Sequence, residues 1–295
     1  MLNFVTLGVN SYVQRGLKTQ KAIQEYLTDC RSRGLSPKSI SAYSWALGYL
    51  DRTTVRLPKR GRELRPTIAA PGLSQGGRRD LANFLETFFL WCGREYRHPN
   101  PFSEISPIPK AKTLPRVLTA VEIDALWETC ETQRERAQIA MVLDNGIRVG
   151  EVANLRWPNI GPDYLVVRGK VGDRQVPLSP EVKRLLLGLG DGVHLWMGHK
   201  GPMTYSGMNN SYRLLFARAG LFSRQNGAHT LRHTFATRYL MNGGNVRILQ
   251  EILGHTSLAT TMIYVHLAGQ DVKADHARHS PSLELDIGAK LGFGG

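Results

Sequence analysis

The chain has 295 residues, 38 of them Lys or Arg and 24 Asp or Glu, for a formal net charge of +14. Its 42% hydrophobic and 21% charged residues are ordinary for a soluble globular protein and exclude wholesale disorder, a collagen-like repeat and a disulfide scaffold. Cys30, Cys92 and Cys130 are far apart and odd in number, no apolar run approaches the ~18 residues of a membrane span, and the start lacks a leader pattern, so a cytoplasmic protein with no membrane association is expected.

At about 150 residues per domain the length predicts two domains, and the charge divides unevenly between them. Residues 1–116 hold 19 basic and 8 acidic residues, a net +11; residues 117–295 hold 19 and 16, a net +3. The densest basic stretch, Arg52 to Arg79, is interrupted by Pro58, Pro66, Pro71, Gly72, Gly76 and Gly77. It reads as an extended loop between helices, either a solvated linker or, as the one-sided charge favours, a strand of positive charge lying along phosphates.

In chain order, Ala22, Ile23, Tyr26 and Leu27 share one face of a helix over 18–29. A second helix starts at Ser36-Pro37, an N-cap followed by proline at the first helical position, and buries Ile40, Tyr43, Leu47 and Leu50. A third spans 81–91 with Leu81, Phe84, Leu85, Phe88 and Phe89 inward. These helices predict an all-α domain over residues 1–109. The Pro-rich segment 110–118 reads as an extended linker.

The second domain, 119–270, opens with the capping box Thr119 to Glu122 before Ile123, Leu126 and Trp127. A helix through Ile139, Ala140, Val142 and Leu143 follows, then strands over 164–168 and 174–178 joined by a turn over 169–173. Helices over 180–187, 206–219, 230–241, 246–253 and 258–264 complete it. The fold class is therefore mainly α with a small antiparallel β-sheet: an all-α N-terminal domain and an α+β C-terminal one. The tail, 271–295, reads as loosely ordered.

No Gly-rich phosphate loop, Gly-x-Ser-x-Gly or Gly-x-Gly-x-x-Gly is present. His229 and His233 have the i, i+4 spacing of a zinc pair, but Thr230 stands where the glutamate belongs and Arg232 shares their face. A fixed cation there repels a metal dication and attracts an anion, so no metal and no cofactor are expected. Arg148 follows a Gly turn, with Glu151 three residues on to orient it. Lys170 lies in the hairpin turn, His255 follows Gly254 at a helix end, and Tyr264 comes nine residues later. Taken singly, each has an ordinary structural explanation.

In order, Arg148, Lys170, His229, Arg232, His255 and Tyr264 give the series Arg, Lys, His-x-x-Arg, His, Tyr. With the wording of residues 146–152, 229–237 and 253–264, this series resembles the tyrosine recombinase (phage integrase) family, specifically its compact Xer-like members. The resemblance extends to Asn100-Pro101 and residues 114–119 and spans about residues 17–270. Two departures stand out: Asn145 replaces a frequent threonine, and the turn holding Lys170 is about one residue short, which leaves Lys200 as the fallback.

The resemblance implies a site-specific DNA recombinase that cuts and rejoins duplex DNA through a 3′-phosphotyrosyl intermediate, without metal or ATP. Tyr264 is the nucleophile, and Arg148 and Arg232 hold the non-bridging oxygens, as guanidinium forks do. Lys170 protonates the leaving 5′-oxygen, His229 exchanges the tyrosine proton, and His255 bonds a phosphate oxygen and steadies the site. His233 and His266 are read as structural. The partner is double-stranded DNA, gripped by a basic N-terminal core-binding domain and the catalytic domain as a clamp. The resemblance further implies a homotetramer on two DNA sites, a monomer in free solution, and a tail able to dock on a neighbour. With about sixteen residues before the first helix, no separate arm-binding domain is expected. The alternatives are a type IB-like topoisomerase and a non-catalytic DNA-binding regulator on the same fold.

Overall fold

A computed structural model describes residues 17–109, 114–169, 172–190, 192–198, 201–223 and 226–269. The chain divides into two compact units, Met1–Thr113 and Leu114–Gly295. No helix among the described residues is long and apolar enough to cross a membrane. The tail expected to dock on a neighbour lies outside the described residues.

Among the described residues the first unit is built from helices: α1 (Thr19–Ser32), α2 (Pro37–Thr53), α3 (Gly61–Ile68), α4 (Gln75–Tyr96) and a 3-10 turn, Pro101–Glu104. Ser36 caps α2 by accepting the Ser39 N–H at 3.1 Å, with Pro37 at the first helical position, where its missing N–H costs nothing. Tyr26 is the hub of the core. Its ring meets Tyr43, Phe88 and Trp91 edge-on at 5.2–5.3 Å, drawing α1, α2 and α4 together. Each such pair adds about 0.5–1.5 kcal/mol beyond the apolar area it buries.

The basic stretch departs from the extended loop expected of it. It contains α3, whose Leu64 and Ile68 lie one turn apart and both enter the core. Gly61 opens this helix in tight quarters: its N–H donates to Glu104 Oε2 at 2.8 Å, and a β-carbon there would lie 2.9 Å from Glu104 Cβ. Pro58, Pro71 and Gly72 lie in the connections on either side of α3, but the others fall inside helices. Pro66 falls in the last turn of α3, and Gly76 and Gly77 fall in the first turn of α4, behind the Ser74 cap. Arg52, Arg56, Lys59, Arg60, Arg62, Arg65 and Arg78 are all exposed, so the charge faces solvent as the loop reading required.

In the second unit α5 (Ala120–Glu128) and α6 (Gln133–Leu143) start with reciprocal capping boxes, Thr119 with Glu122 and Thr132 with Glu135. A five-residue helix, α7 (Val149–Ala153), and a 3-10 turn, Trp157–Asn159, follow. Strands β1 (Tyr164–Gly169) and β2 (Gly172–Pro177) pair antiparallel from Tyr164↔Pro177 to Gly169↔Gly172. Leu165, Val167 and Val176 point inward from this hairpin, and the period of two puts Arg174 on the same face as Val176. Beyond α8 (Pro180–Leu187) comes a second hairpin the sequence did not signal, β3 (Met197–Gly198) with β4 (Gly201–Pro202).

Four helices complete the described residues of the unit: α9 (Tyr205–Arg218), α10 (Ala228–Met241), α11 (Val246–Leu253) and α12 (Leu258–Ala268). Helix α10 packs on α6 on one side and α12 on the other. Ala236, Leu240, Leu249, Leu253 and Tyr264 form the small apolar cluster where α10, α11 and α12 meet.

Candidate active site

Each candidate side chain among the described residues is aimed by a helix end or a helix crossing. Helix α6 stops at Leu143, and Gly146 turns the chain with φ +61°. Arg148 then sits at the N-cap of α7, its backbone N–H bonded to Glu151 Oε2 at 2.8 Å and its Nη1 to Glu151 Oε1 at 3.0 Å. Glu151 is buried, and its carboxylate also takes both terminal nitrogens of Arg174, each at 2.9 Å. Burial pushes the Glu151 pKa up, but the bonds from Arg174 and Arg148 outweigh it and hold the carboxyl below the usual range.

Arg232, on α10, is only 4% exposed. It donates to the carbonyl oxygens of Gly146 and Leu253 and, at 3.1 Å, to His255 Nε2. Burial, with Arg148 close by, lowers its pKa to about 10, still high enough to keep the charge at neutral pH. Since a guanidinium only donates, His255 Nε2 must accept, which leaves the proton on Nδ1 for Thr261 Oγ1 at 2.9 Å. Burial and the charges of Arg232 and Arg148 hold His255 down to about 4, in agreement with that neutral form. In this arrangement His255 steadies Arg232, while Nε2 has no proton to offer a phosphate oxygen.

Tyr264, on α12, is 3% exposed, and its hydroxyl lies 2.9 Å from His233 Nδ1. His233 follows Arg232 on α10 and is held down to about 4 by burial, His229 and Arg232. Burial raises the Tyr264 pKa, while Arg232 and Arg148 pull against that rise. The structure thus brings together Arg148, Arg232, His255 and Tyr264, four of the six side chains singled out in the sequence. His229, one turn before His233 in α10, is partly open to solvent; the desolvation of the remainder of its ring, with Arg232 and Arg148, lowers its pKa. The histidine that holds the Tyr264 hydroxyl is therefore His233, read from the sequence as structural, rather than His229. Lys170 lies outside the described residues, between the register partners Gly169 and Gly172; Lys200 lies outside them too.

Sequence reasoning also passed over Arg174, although a charge on the inward face of a strand marks it. Among the described residues no three His, Cys, Asp or Glu side chains gather as a metal site would require. What gathers instead is three guanidiniums, one carboxylate and neutral imidazoles, a net positive cluster suited to an anion beside a phenol.

Two predictions arise from this geometry. A β-carbon on Gly146 would lie 2.3 Å from the Phe235 ring, and the Gly146 carbonyl anchors Arg232. Gly146→Ala is expected to cost about 1–3 kcal/mol of stability, read as a lowered urea midpoint. The second concerns pH. His233 and His255 ionise near 4 when folded against an ordinary value of 6.5, so the unfolded chain binds more protons between those values. By linkage, stability falls as pH drops from about 6.5 towards 4, and protonation of Glu151 extends the loss further into acid. Urea midpoints should decline steadily over that window; midpoints that stay level would contradict the neutral assignment.

The model of the phage integrase family matches residues 116–271. The tyrosine recombinase XerC of Listeria monocytogenes is 28% identical over 288 residues, covering 90% of this chain and 92% of its own. The tyrosine recombinase XerD of Lacticaseibacillus casei is 32% identical over 223 residues, 68% of this chain and 75% of its own. Among solved structures, a lambda integrase tetramer bound to a Holliday junction superposes with a TM-score of 0.70 at 18% identity, covering 87% of this chain and 82% of that one.

Proposed function

The chain belongs to the phage integrase family of tyrosine recombinases, and from that premise we propose how its side chains cut and rejoin DNA. It is a site-specific DNA recombinase of the tyrosine type. The observation that carries the chemistry is the convergence of the Tyr264 hydroxyl, a neutral histidine and the Arg148–Arg232 pair.

The scissile phosphate binds against Arg148, whose side chain is 38% exposed and keeps three N–H groups beyond those bonded to Glu151 and Gly254. Arg232 lies behind it, rigidly held, and both stabilise the charge that grows on the non-bridging oxygens. Tyr264 Oη attacks phosphorus. Its proton passes to neutral His233 Nδ1, and the 5′-oxygen leaves with a proton from Lys170. The product is a 3′-phosphotyrosyl bond and a free 5′-hydroxyl. That bond keeps the energy of the phosphodiester, so attack by a new 5′-hydroxyl rejoins the strand without ATP. His229, exposed one turn away, relays the proton between His233 and solvent, and His255 keeps Arg232 aimed.

DNA is held along its phosphates by the exposed cations of the first unit, with the catalytic unit on the strand it cuts. Log Kd should then rise with log salt by about 0.9 per phosphate contact; a level dependence would contradict this grip. Assembly follows the precedent of the lambda integrase tetramer on a Holliday junction: four chains on two DNA sites. A plasmid bearing two target sites tests the reading. Exchange between the sites in EDTA and without ATP is expected, whereas relaxation with no exchange would make the protein a topoisomerase instead.

A further inference from the structure

Helix α11 ends in carbonyl groups that have no N–H ahead of them, the negative end of its dipole. Three of them are each taken by a different arginine. Arg174 Nε donates to Ile252 at 2.8 Å, Arg232 Nη2 to Leu253 at 2.7 Å, and Arg148 Nη2 to Gly254 at 3.3 Å. The next residue is His255. The helix end is therefore a common seat for the phosphate-binding arginines and the histidine that steadies one of them.

Arg174 differs from the other two. Its side chain is 14% exposed, and Nε, Nη1 and Nη2 are all engaged, the last two as a fork on Glu151. It also lies over the turn that leads to His255. Gly254 there has φ +61°, and a β-carbon would come within 3.0 Å of Arg174 Cζ. Arg174 thus joins β2, the carboxylate that orients Arg148, and the end of α11. Stability alone does not call for an arginine here. The neighbouring inward positions of the hairpin are Leu165, Val167 and Val176, and apolar residues in place of both partners of a buried ion pair commonly cost no stability.

We propose that Arg174 is a positioning residue for strand cleavage: by clamping Glu151 and the end of α11 it aims Arg148 and the His255 turn at the scissile phosphate, without touching DNA. The proposal rests on the reading of Arg148 as a phosphate ligand. Lysine keeps the charge at this position but cannot make the fork and the Nε bond together. The fault in Arg174→Lys should therefore be one of aim. Misplacement of a reacting group by about 1 Å costs about 10²-fold in rate.

The test uses the full chain and two versions of its DNA site, one with the natural 5′-oxygen at the scissile phosphate and one with a bridging 5′-sulfur. A thiolate leaves without a proton, so the sulfur substrate bypasses the general acid and still needs the arginines. Arg174→Lys is expected to bind DNA as the wild type does. At saturating DNA it should form the covalent adduct about 10²-fold more slowly, with the same deficit on both substrates. Glu151→Gln should show the same pattern, and the double variant should be no slower than the slower single one.

A folded Arg174→Lys that cleaves at the wild-type rate would reduce Arg174 to a structural ion pair. A deficit that vanishes on the sulfur substrate would place its action on the general acid, overturning the proposal. Independent, multiplying deficits in the double variant would also overturn it. Urea midpoints show that each variant is folded, and Glu151→Gln carries the test if Arg174→Lys is not. Failure of the underlying function is separate, since then the wild type itself forms no adduct on either substrate.

Discussion

Tyr264→Phe will bind its DNA site with wild-type affinity and form no covalent adduct with it. The substitution removes one oxygen from a side chain that is 3% exposed, and the ring keeps its place in the cluster with Ala236, Leu240, Leu249 and Leu253. What goes is the hydroxyl 2.9 Å from His233. The loss of that single hydrogen bond costs about 1 kcal/mol, too little to unfold a domain. The attacking atom itself is absent. The measurement is the SDS-resistant band on a nicked half-site: present for the wild type, absent for the variant, with equal gel shifts beforehand. An adduct that survives in Tyr264→Phe would move the nucleophile elsewhere.

Arg232→Lys carries the second large effect, on chemistry and stability together. A lysine retains the charge but is a point donor, and it cannot serve Gly146, Leu253 and His255 at once. Cleavage should fall by at least about 10²-fold, the usual loss when one preorganised donor to a developing oxyanion is removed. At least one buried carbonyl is left without its partner, at about 1–3 kcal/mol. Single-turnover adduct formation reads the first effect and urea unfolding the second. A variant that cleaves normally would show that charge alone, and not the fork, serves the phosphate.

Most of the elements, and the four side chains that the structure brings together, were legible in the sequence for identifiable reasons. Caps such as Ser36-Pro37 and Thr119 with Glu122 act within one turn of chain, so they are written locally. The spacing from His229 through Tyr264 is likewise a local count along three successive helices. The partnership of His233 with Tyr264 is not local. It depends on how α10 crosses α12, and on a helix His233 looks like any half-buried histidine. Arg174 left a faint sign, a charge alternating with Val176 on the inward face, but its bonds reach α7 and α11, 23 and 78 residues away. Helix α3 was hidden because two core residues, Leu64 and Ile68, had to be weighed against a proline and a run of basic side chains. The β3–β4 hairpin, with two residues a side, is too short for any alternation to register.

These particulars bear on how the site is built. Buried arginines are costly, and Arg174 and Arg232, two of the three around this helix end, sit largely out of water. The charges are offset locally: Glu151 sits between Arg148 and Arg174, the α11 carbonyls take one bond from each arginine, and the histidines stay neutral. The residual charge is positive and already oriented, so little reorganisation is needed when a phosphate arrives. Arg148, the most exposed of the three and the one with the longest carbonyl contact, at 3.3 Å, is the one able to shift towards it.

The most direct measurement is the identity of the covalent bond. The wild-type protein, trapped on a nicked site and digested with nuclease and protease, should yield one modified peptide, with Tyr264 joined through its phenolic oxygen to a 3′-phosphate and a free 5′-hydroxyl on the released strand. A phosphate found on any other residue, or attached through the 5′ end, would contradict the account.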